Sequence, residues 1–187
     1  MAAEVRRRIA QDTELEALAH PLRLELLEHL LGAGPATASA CARAVGDTPS
    51  NCSYHLRVLA RVGLVGEAAS EDGRERPWRA LITGFDTPAD AGEPFTGLER
   101  RLRSLETQQE QRLLAEYLAR RDEVPRRWRE ADALSMYSLR LTAAELSDLT
   151  ARLDAAIRPY IAATREAAPR GAEPVRLTLH AFPTSVP

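Results

Sequence analysis

With 187 residues, 28% of them charged, and a formal net charge of −2, the chain is long enough to bury one or two cores. It contains no apolar run of membrane-spanning length, residues 9–18 are too polar for the apolar region of a secretory signal, and its two cysteines suit a reducing compartment, so a cytoplasmic protein is expected. No Ser/His/Asp, Cys/His or paired-carboxylate arrangement and no Gly-rich phosphate loop is recognisable, so an enzyme is not expected.

In chain order, Thr13 and Glu16 have the spacing of a capping box and predict a short helix carrying Leu15 and Leu18. Pro21 starts a second helix, whose Leu22, Leu26, Leu27, Leu30 and Leu31 form a broad apolar stripe ended by Gly32 and Gly34. Both read as scaffold, with Glu25, Glu28 and His29 in solvent. Residues 37–65 then give two short helices, a tight turn and a strand. Thr37 and Thr48 supply caps, Gly46 stops the first helix, Pro49 pre-sets the second and Gly63 ends it. That is the outline of a helix-turn-helix.

The second of these helices, about 49–62, divides into two faces. Cys52, Leu56, Leu59 and Val62 recur at helical spacing and should face inward, leaving Ser50, Asn51, Ser53, Tyr54, Arg57 and Arg61 outside. These are side chains able to hydrogen-bond base edges and phosphates, and no Asp or Glu occurs from Thr48 to Gly66. The next two stretches, 64–69 and 76–82, read as strands around a polar turn, a hairpin that makes a wing. Of Arg74, Arg76 and Arg79, either Arg74 or Arg76 is expected to reach a DNA backbone, with Glu71, Asp72 and Glu75 on the outer side. Net charge alone argues against a DNA-binding protein, but the acids concentrate away from the reading helix. Few phosphate contacts, and hence a shallow salt dependence, are expected.

Three ordered motifs now carry a resemblance: residues 15–24 (LEALAHPLRL), residues 53–59 (SYHLRVL) and Gly63-Leu64-Val65. Together they resemble the ArsR-type winged-helix transcriptional regulators, over roughly the first half of the chain. The resemblance implies a repressor or activator that binds operator DNA as a two-fold dimer. It places Pro49, Ser50, Asn51, Ser53, Tyr54, His55 and Arg57 on or at the start of the recognition helix, so the candidate DNA-binding set is these with Thr48, Arg61, Arg74 and Arg76.

Metal-sensing members of that family carry paired cysteines on the preceding helix, where this chain keeps only Cys41. Cys41 and Cys52 both fall at apolar positions without His, Asp or Glu at ligand spacing, so they read as core and no metal or other cofactor is expected. His55 is equally compatible with touching DNA and with packing inward. Asp47 stands in the turn where the family usually has an apolar residue, either capping the next helix or weakening DNA affinity.

Residues 84–94, rich in Gly, Pro and Asp, read as a linker without regular structure. A helix follows over about 96–122, with Leu98, Leu102, Leu105, Leu113, Leu114, Tyr117 and Leu118 on one broad face. Leu98, Leu102, Leu105, Leu113 and Tyr117 are expected to serve dimerisation, with some packing inside the chain as well. Beyond it, 135–141 and 174–182 alternate like strands, and Thr142 and Glu145 form a capping box opening a helix to about Ala163, kinked near Pro159.

The expected architecture is mainly α with small β: a winged helix-turn-helix over 1–84, a linker over 85–95, and a long helix with a small α+β dimerisation or accessory module over 96–187. Its function is expected to be sequence-specific regulation of transcription by a homodimer on double-stranded DNA. The alternatives are a winged helix turned protein-interaction module, or a metal-responsive repressor. A small-molecule effector is a further candidate partner, with Trp128, Met136, Tyr137, Tyr160 and Phe182 lining a pocket and Arg140 or Arg158 fixing an anion.

Overall fold

The computed structural model describes residues 6–9, 11–69, 76–86, 94–161 and 169–184. Its first compact unit comprises residues 1–106 and 159–176, its second 107–158 and 177–187.

In the first unit, β1 (Arg6–Arg8) leads to α1 (Asp12–Leu18), α2 (Pro21–Ala33), α3 (Ala38–Val45) and α4 (Pro49–Arg61), followed by β2 (Val65–Glu67), β3 (Trp78–Ala80) and β4 (Gly84–Asp86). Local chemistry sets the helix ends around the turn. The Thr37 and Thr48 hydroxyls accept from the backbone N–H of Ala40 and Asn51, at 3.1 and 3.3 Å. Gly46 (φ 71°) and Gly63 (φ 70°) adopt the left-handed backbone that ends helices cheaply only with glycine. β2 and β3 pair antiparallel with Val65 opposite Ala80, and Ala36 bridges to Trp78, so the wing is anchored to the segment before α3.

The core behind α4 is leucine-rich. Leu18, Leu24, Leu26, Leu27, Leu56, Leu59 and Leu64 are fully buried, with Cys41 and Cys52 among them. At about 1.5–3 kcal/mol for each such side chain, this burial is the main force holding α4 in place. Both cysteines are free thiols, and burial, with Cys52 nearby as the second cause, pushes the Cys41 thiol up to about 11. A thiol so hard to ionise is a poor nucleophile and a poor ligand.

Several expectations are corrected here. Thr13 lies inside α1 and caps nothing; Gln11 holds the N-cap position without a side-chain bond. Glu14, for which sequence reasoning set no expectation, is buried with its carboxylate paired to Arg7. α2 continues through Gly32 and stops at Gly34, and Leu24, left out of the sequence stripe, is one of its fully buried residues. Glu25, Glu28 and His29 are half-buried.

The supposed linker begins with structure. Gly84–Asp86 form β4, which pairs parallel with β1, so Phe85 and Asp86 belong to the first unit; residues 87–93 lie outside the described residues. Arg6 locks the pairing with an ion pair to Asp86 at 2.7 Å. Local composition does not reveal such a strand, since its partner lies some eighty residues upstream.

α5 (Gly97–Arg120) opens with a capping box between Thr96 and Glu99: the Thr96 N–H donates to Glu99 Oε2 at 2.6 Å and the Glu99 N–H to the Thr96 hydroxyl at 3.2 Å. Leu102 is fully buried in the first unit's core, and Leu98 and Leu105 pack against it. Those three positions therefore stabilise their own chain, and Leu102 in particular has no surface left to offer a partner.

In the second unit, α5 ends in a single 3₁₀ turn, followed by α6 (Arg126–Arg129) and α7 (Ala143–Ile157). The capping box of Thr142 and Glu145 is present as expected. Arg121 clamps Asp132 through Nε at 2.8 Å, and the Tyr117 hydroxyl donates to the same carboxylate at 2.5 Å. The Arg121 guanidinium, with Tyr117 adding its hydrogen bond, holds the Asp132 carboxyl below the usual carboxylate range. The two expected strands are not formed: residues 135–141 and 174–182 carry no strand assignment and are exposed. The α+β character expected of this module is thus reduced to helices and chain without regular structure.

Candidate nucleic-acid interface

α4 presents the side chains that sequence reasoning assigned to it. Thr48, Pro49, Ser50, Asn51, Arg57 and Arg61 are exposed, Ser53 is half-buried, and Tyr54 keeps 58% of its surface in water. Cys52, Leu56 and Leu59 turn inward as expected, with Val62 half-buried at the cap. Because α3 and the core grip the inner face, the outer face is a rigid platform, the condition under which a helix can read a groove.

His55 is the exception: it packs inward, only 7% exposed. Its ring lies 4.5 Å from that of His20, and the Tyr54 ring meets it edge-on at 5.1 Å. Arg23 closes the cluster, its Nη1 3.5 Å from His55 Nδ1 and its Nη2 donating to the Glu16 carbonyl at 2.8 Å, while its Nε donates to the Ala17 carbonyl. Those carbonyls are among the last of α1, which otherwise lack helical partners, so the guanidinium caps α1 and seats it against α4. Sequence reasoning gave Arg23 and His20 no role beyond the motif containing them. Only their adjacency to the buried side of α4, a tertiary fact, reveals one.

Burial and then the Arg23 charge lower the pKa of His55; burial, Arg23, the neighbouring His55 and Arg101 lower that of His20. Folded protein therefore resists protonation at sites where the unfolded chain accepts it near pH 6.5. Stability is expected to be fully present above about pH 6.5 and to fall as pH drops from there through the lower native values. Thermal unfolding between pH 8 and 5 checks this, and H55Q should flatten the slope; an unchanged slope in that variant would count against the assignment.

Asp47 sits just before α4, exposed beside the Thr48 cap. Its Oδ1 accepts the Thr48 N–H at 2.5 Å and both its oxygens hold the Asn51 amide, at 3.0 and 3.2 Å. The Thr48 N–H, then the Asn51 amide, keep its carboxyl below the usual range. The residue that departs from the family pattern therefore adds bonds at the start of the helix and also occupies the most informative polar side chain on its face. Asp47→Ala is expected to free Asn51, remove a negative charge from the interface and tighten operator binding by roughly threefold to tenfold, read by a DNA titration. Unchanged or weaker binding would argue that Asp47 serves only the helix end.

On the wing, Arg76 reaches across to Glu67, Nη1 to Oε2 3.1 Å, with 77% of its side chain exposed. A phosphate contact by Arg76 would exchange one anionic partner for another. Arg79 is exposed on β3, and Arg74 lies outside the described residues. Arg43, in the last turn of α3, is an exposed cation that the sequence reading omitted.

Among the described residues no group of three or more His, Cys, Asp or Glu has the arrangement of a metal site, and no helix is long and apolar enough to cross a membrane. Of the residues expected to line a pocket, Met136, Tyr137, Tyr160 and Phe182 are exposed and Trp128 is half-buried. An open cleft of about 440 Å³ lies elsewhere, between Leu113, Tyr117, Arg120, Val124 and Pro125.

The family description for a helix-turn-helix domain matches residues 18–66. No curated protein matches the chain. Among solved structures, the chain is similar to a possible transcriptional regulator for arsenical resistance, at 30% identity over 57% of this chain and 97% of that one, with a TM-score of 0.33. It is also similar to an ArsR-like transcriptional regulator from Rhodococcus sp. RHA1, at 26% identity over 57% and 89% of the two chains and a TM-score of 0.33. A third is the homodimeric winged helix-turn-helix DNA-binding domain of a possible ArsR-family regulator from Mycobacterium bovis, at 25% identity, 58% and 81% coverage and a TM-score of 0.33. The helix-turn-helix match, the capped helix pair and the antiparallel hairpin after it make this region a winged helix-turn-helix domain, and the chain is similar to regulators of the ArsR type.

Proposed function

We propose that the protein is a transcriptional repressor that binds operator DNA as a homodimer in the cytoplasm, reading the major groove with α4. The observation that carries this is the outer face of α4: exposed Ser50, Asn51, Tyr54, Arg57 and Arg61, free of acidic residues and backed by a fully buried inner face. Asn is suited to bidentate pairing with adenine and Arg with guanine, while Ser50 and Thr48 lie at the helix start where phosphate contacts set register. Arg76, and Arg74 by the same sequence argument, would add contacts to the flanking backbone.

Two-fold pairing suits the task, because half-sites one helical turn apart, about 34 Å, match two copies of one recognition helix. Leu113 and Tyr117, half-buried on α5, with exposed Leu114 and Leu118 beside them, belong to the surface offered to the second copy. Genome-wide recovery of bound DNA tests the proposal. A palindromic site enriched upstream of genes whose expression rises on deletion supports it; no enriched site, or genes that fall silent, overturns the repressor reading.

A further inference from the structure

Asn51 has two different ends to offer DNA, a carbonyl oxygen that accepts and an amino group that donates, and which one faces outward depends on how its amide is turned. Asp47 turns it. The Asn51 Nδ2 lies 3.0 Å from Asp47 Oδ2 and 3.2 Å from Oδ1. An ionised carboxylate can only accept, so the amino end must be the one directed at Asp47. The carboxylate is itself held in place, because its Oδ1 accepts the Thr48 N–H at 2.5 Å. Asn51 is fixed at its backbone, where its N–H donates to the Thr48 hydroxyl at 3.3 Å in the first turn of a helix whose Cys52, Leu56 and Leu59 are fully buried. Among the described residues no hydrogen bond reaches Asn51 Oδ1, and the residue is exposed, so a carbonyl oxygen is its free end.

We infer that Asp47 is a specificity-determining positioning residue: it turns the Asn51 amide so that α4 reads one base by accepting a hydrogen bond, selecting amino-bearing cytosine or adenine over guanine or thymine. This rests on α4 being the recognition helix and names what one of its side chains recognises. In the major groove cytosine N4 and adenine N6 are donors, whereas guanine offers the acceptors O6 and N7, and thymine offers O4 and a methyl group. An outward carbonyl therefore bonds either of the first two bases and finds no donor on the others.

The bidentate contact that singles out adenine needs the amide N–H at N7 as well as the carbonyl at N6. Asp47 engages that nitrogen, and its negative charge would stand beside the N7 acceptor. Adenine keeps the N6 bond alone and gains no advantage over cytosine, whose amino group also suits a nearby acidic side chain. Taken by itself Asn51 is an adenine reader; beside Asp47 it becomes a reader of amino groups.

Selection from a library of randomised DNA duplexes, run on the full-length chain and its Asn51→Ala and Asp47→Ala variants, tests this. Asn51→Ala marks the base position, as the one where preference disappears. There the unmodified chain should bind cytosine and adenine within about threefold of one another and about tenfold more tightly than guanine or thymine, while Asp47→Ala should favour adenine over cytosine by about fivefold. Asp47→Asn keeps the side chain's shape but lets the two amides exchange roles, so it should move the preference the same way by a smaller factor, and it serves if the alanine variant does not fold. Loss of a helix-end bond alone would change affinity for every duplex alike. That result overturns the inference, as does an unmodified chain that already selects adenine alone, or an Asn51→Ala variant with every preference retained; each leaves DNA reading by α4 intact. Enrichment of no sequence by the unmodified chain overturns the recognition-helix reading itself, and this inference with it.

Discussion

Replacing Asn51 and Arg57 together by alanine is expected to lower affinity for operator DNA by about 1.5 to 4 orders of magnitude while leaving the dimer and its thermal unfolding unchanged. Both side chains are exposed on α4 and neither contributes to the core, so stability should move by no more than about 0.5 kcal/mol. Each well-placed base contact is worth about 1–3 kcal/mol, and two of them give the expected range. The single variants should separate. Asn51→Ala alone relaxes preference at one base position, whereas a phosphate-directed Arg61→Ala weakens all sequences alike and reduces the salt slope by about one. Fluorescence anisotropy against operator and scrambled duplexes at several salt concentrations reads all three, and full retention of operator affinity by the double variant would refute the reading-helix assignment.

The largest expected effect on stability comes from Arg7→Ala. The Arg7 Nη2 lies 2.5 Å from the Glu14 carboxylate, whose side chain is only 5% exposed, and its Nη1 donates to the Gly63 carbonyl at 3.0 Å, just past α4. One guanidinium therefore ties β1 to α1 and to the end of the reading helix. Removing it leaves Glu14 buried and without this cation, a situation that costs about 3–5 kcal/mol. For a domain of this size that corresponds to a fall in Tm on the order of 10–20 °C. The double variant Arg7→Met with Glu14→Leu should recover most of the loss, because a matched apolar pair avoids the desolvation that the charges incur. A fall of less than about 3 °C for Arg7→Ala, or no recovery in the double variant, would show that the pair is not holding the strand.

The helix pair at the heart of the interface is legible residue by residue because each boundary has a local cause. Thr37 and Thr48 cap, Pro49 pre-sets the first turn, and Gly46 and Gly63 take backbone angles other residues avoid. The division of α4 into faces follows from its 3.6-residue period alone. His55 shows the limit of that logic. It lies beside the exposed Tyr54, yet the geometry of His20 and Arg23 draws it inward. In the same way Arg7, Glu14 and the strand Gly84–Asp86 gain their meaning from partners dozens of residues away.

The second half illustrates the opposite failure. Alternation at 135–141 and 174–182 reads as strand, but alternation specifies a strand only when an edge exists to pair with, and among the described residues none pairs with either stretch. Likewise the stripe on α5 reads as one broad face serving dimerisation and packing inside the chain, and the structure divides it: Leu102 is consumed by its own chain's core, Leu113 is half-buried, and Leu114 and Leu118 are exposed. Sequence by itself determined the capped helix-turn-helix, the hairpin after it and the acid-free outer face of α4, all of which follow from short-range backbone and periodicity rules. Only the tertiary structure decided which way His55 turns, what Arg7 and Arg23 hold together, and how α5 divides between core and solvent, because those outcomes depend on long-range neighbours that no local pattern encodes.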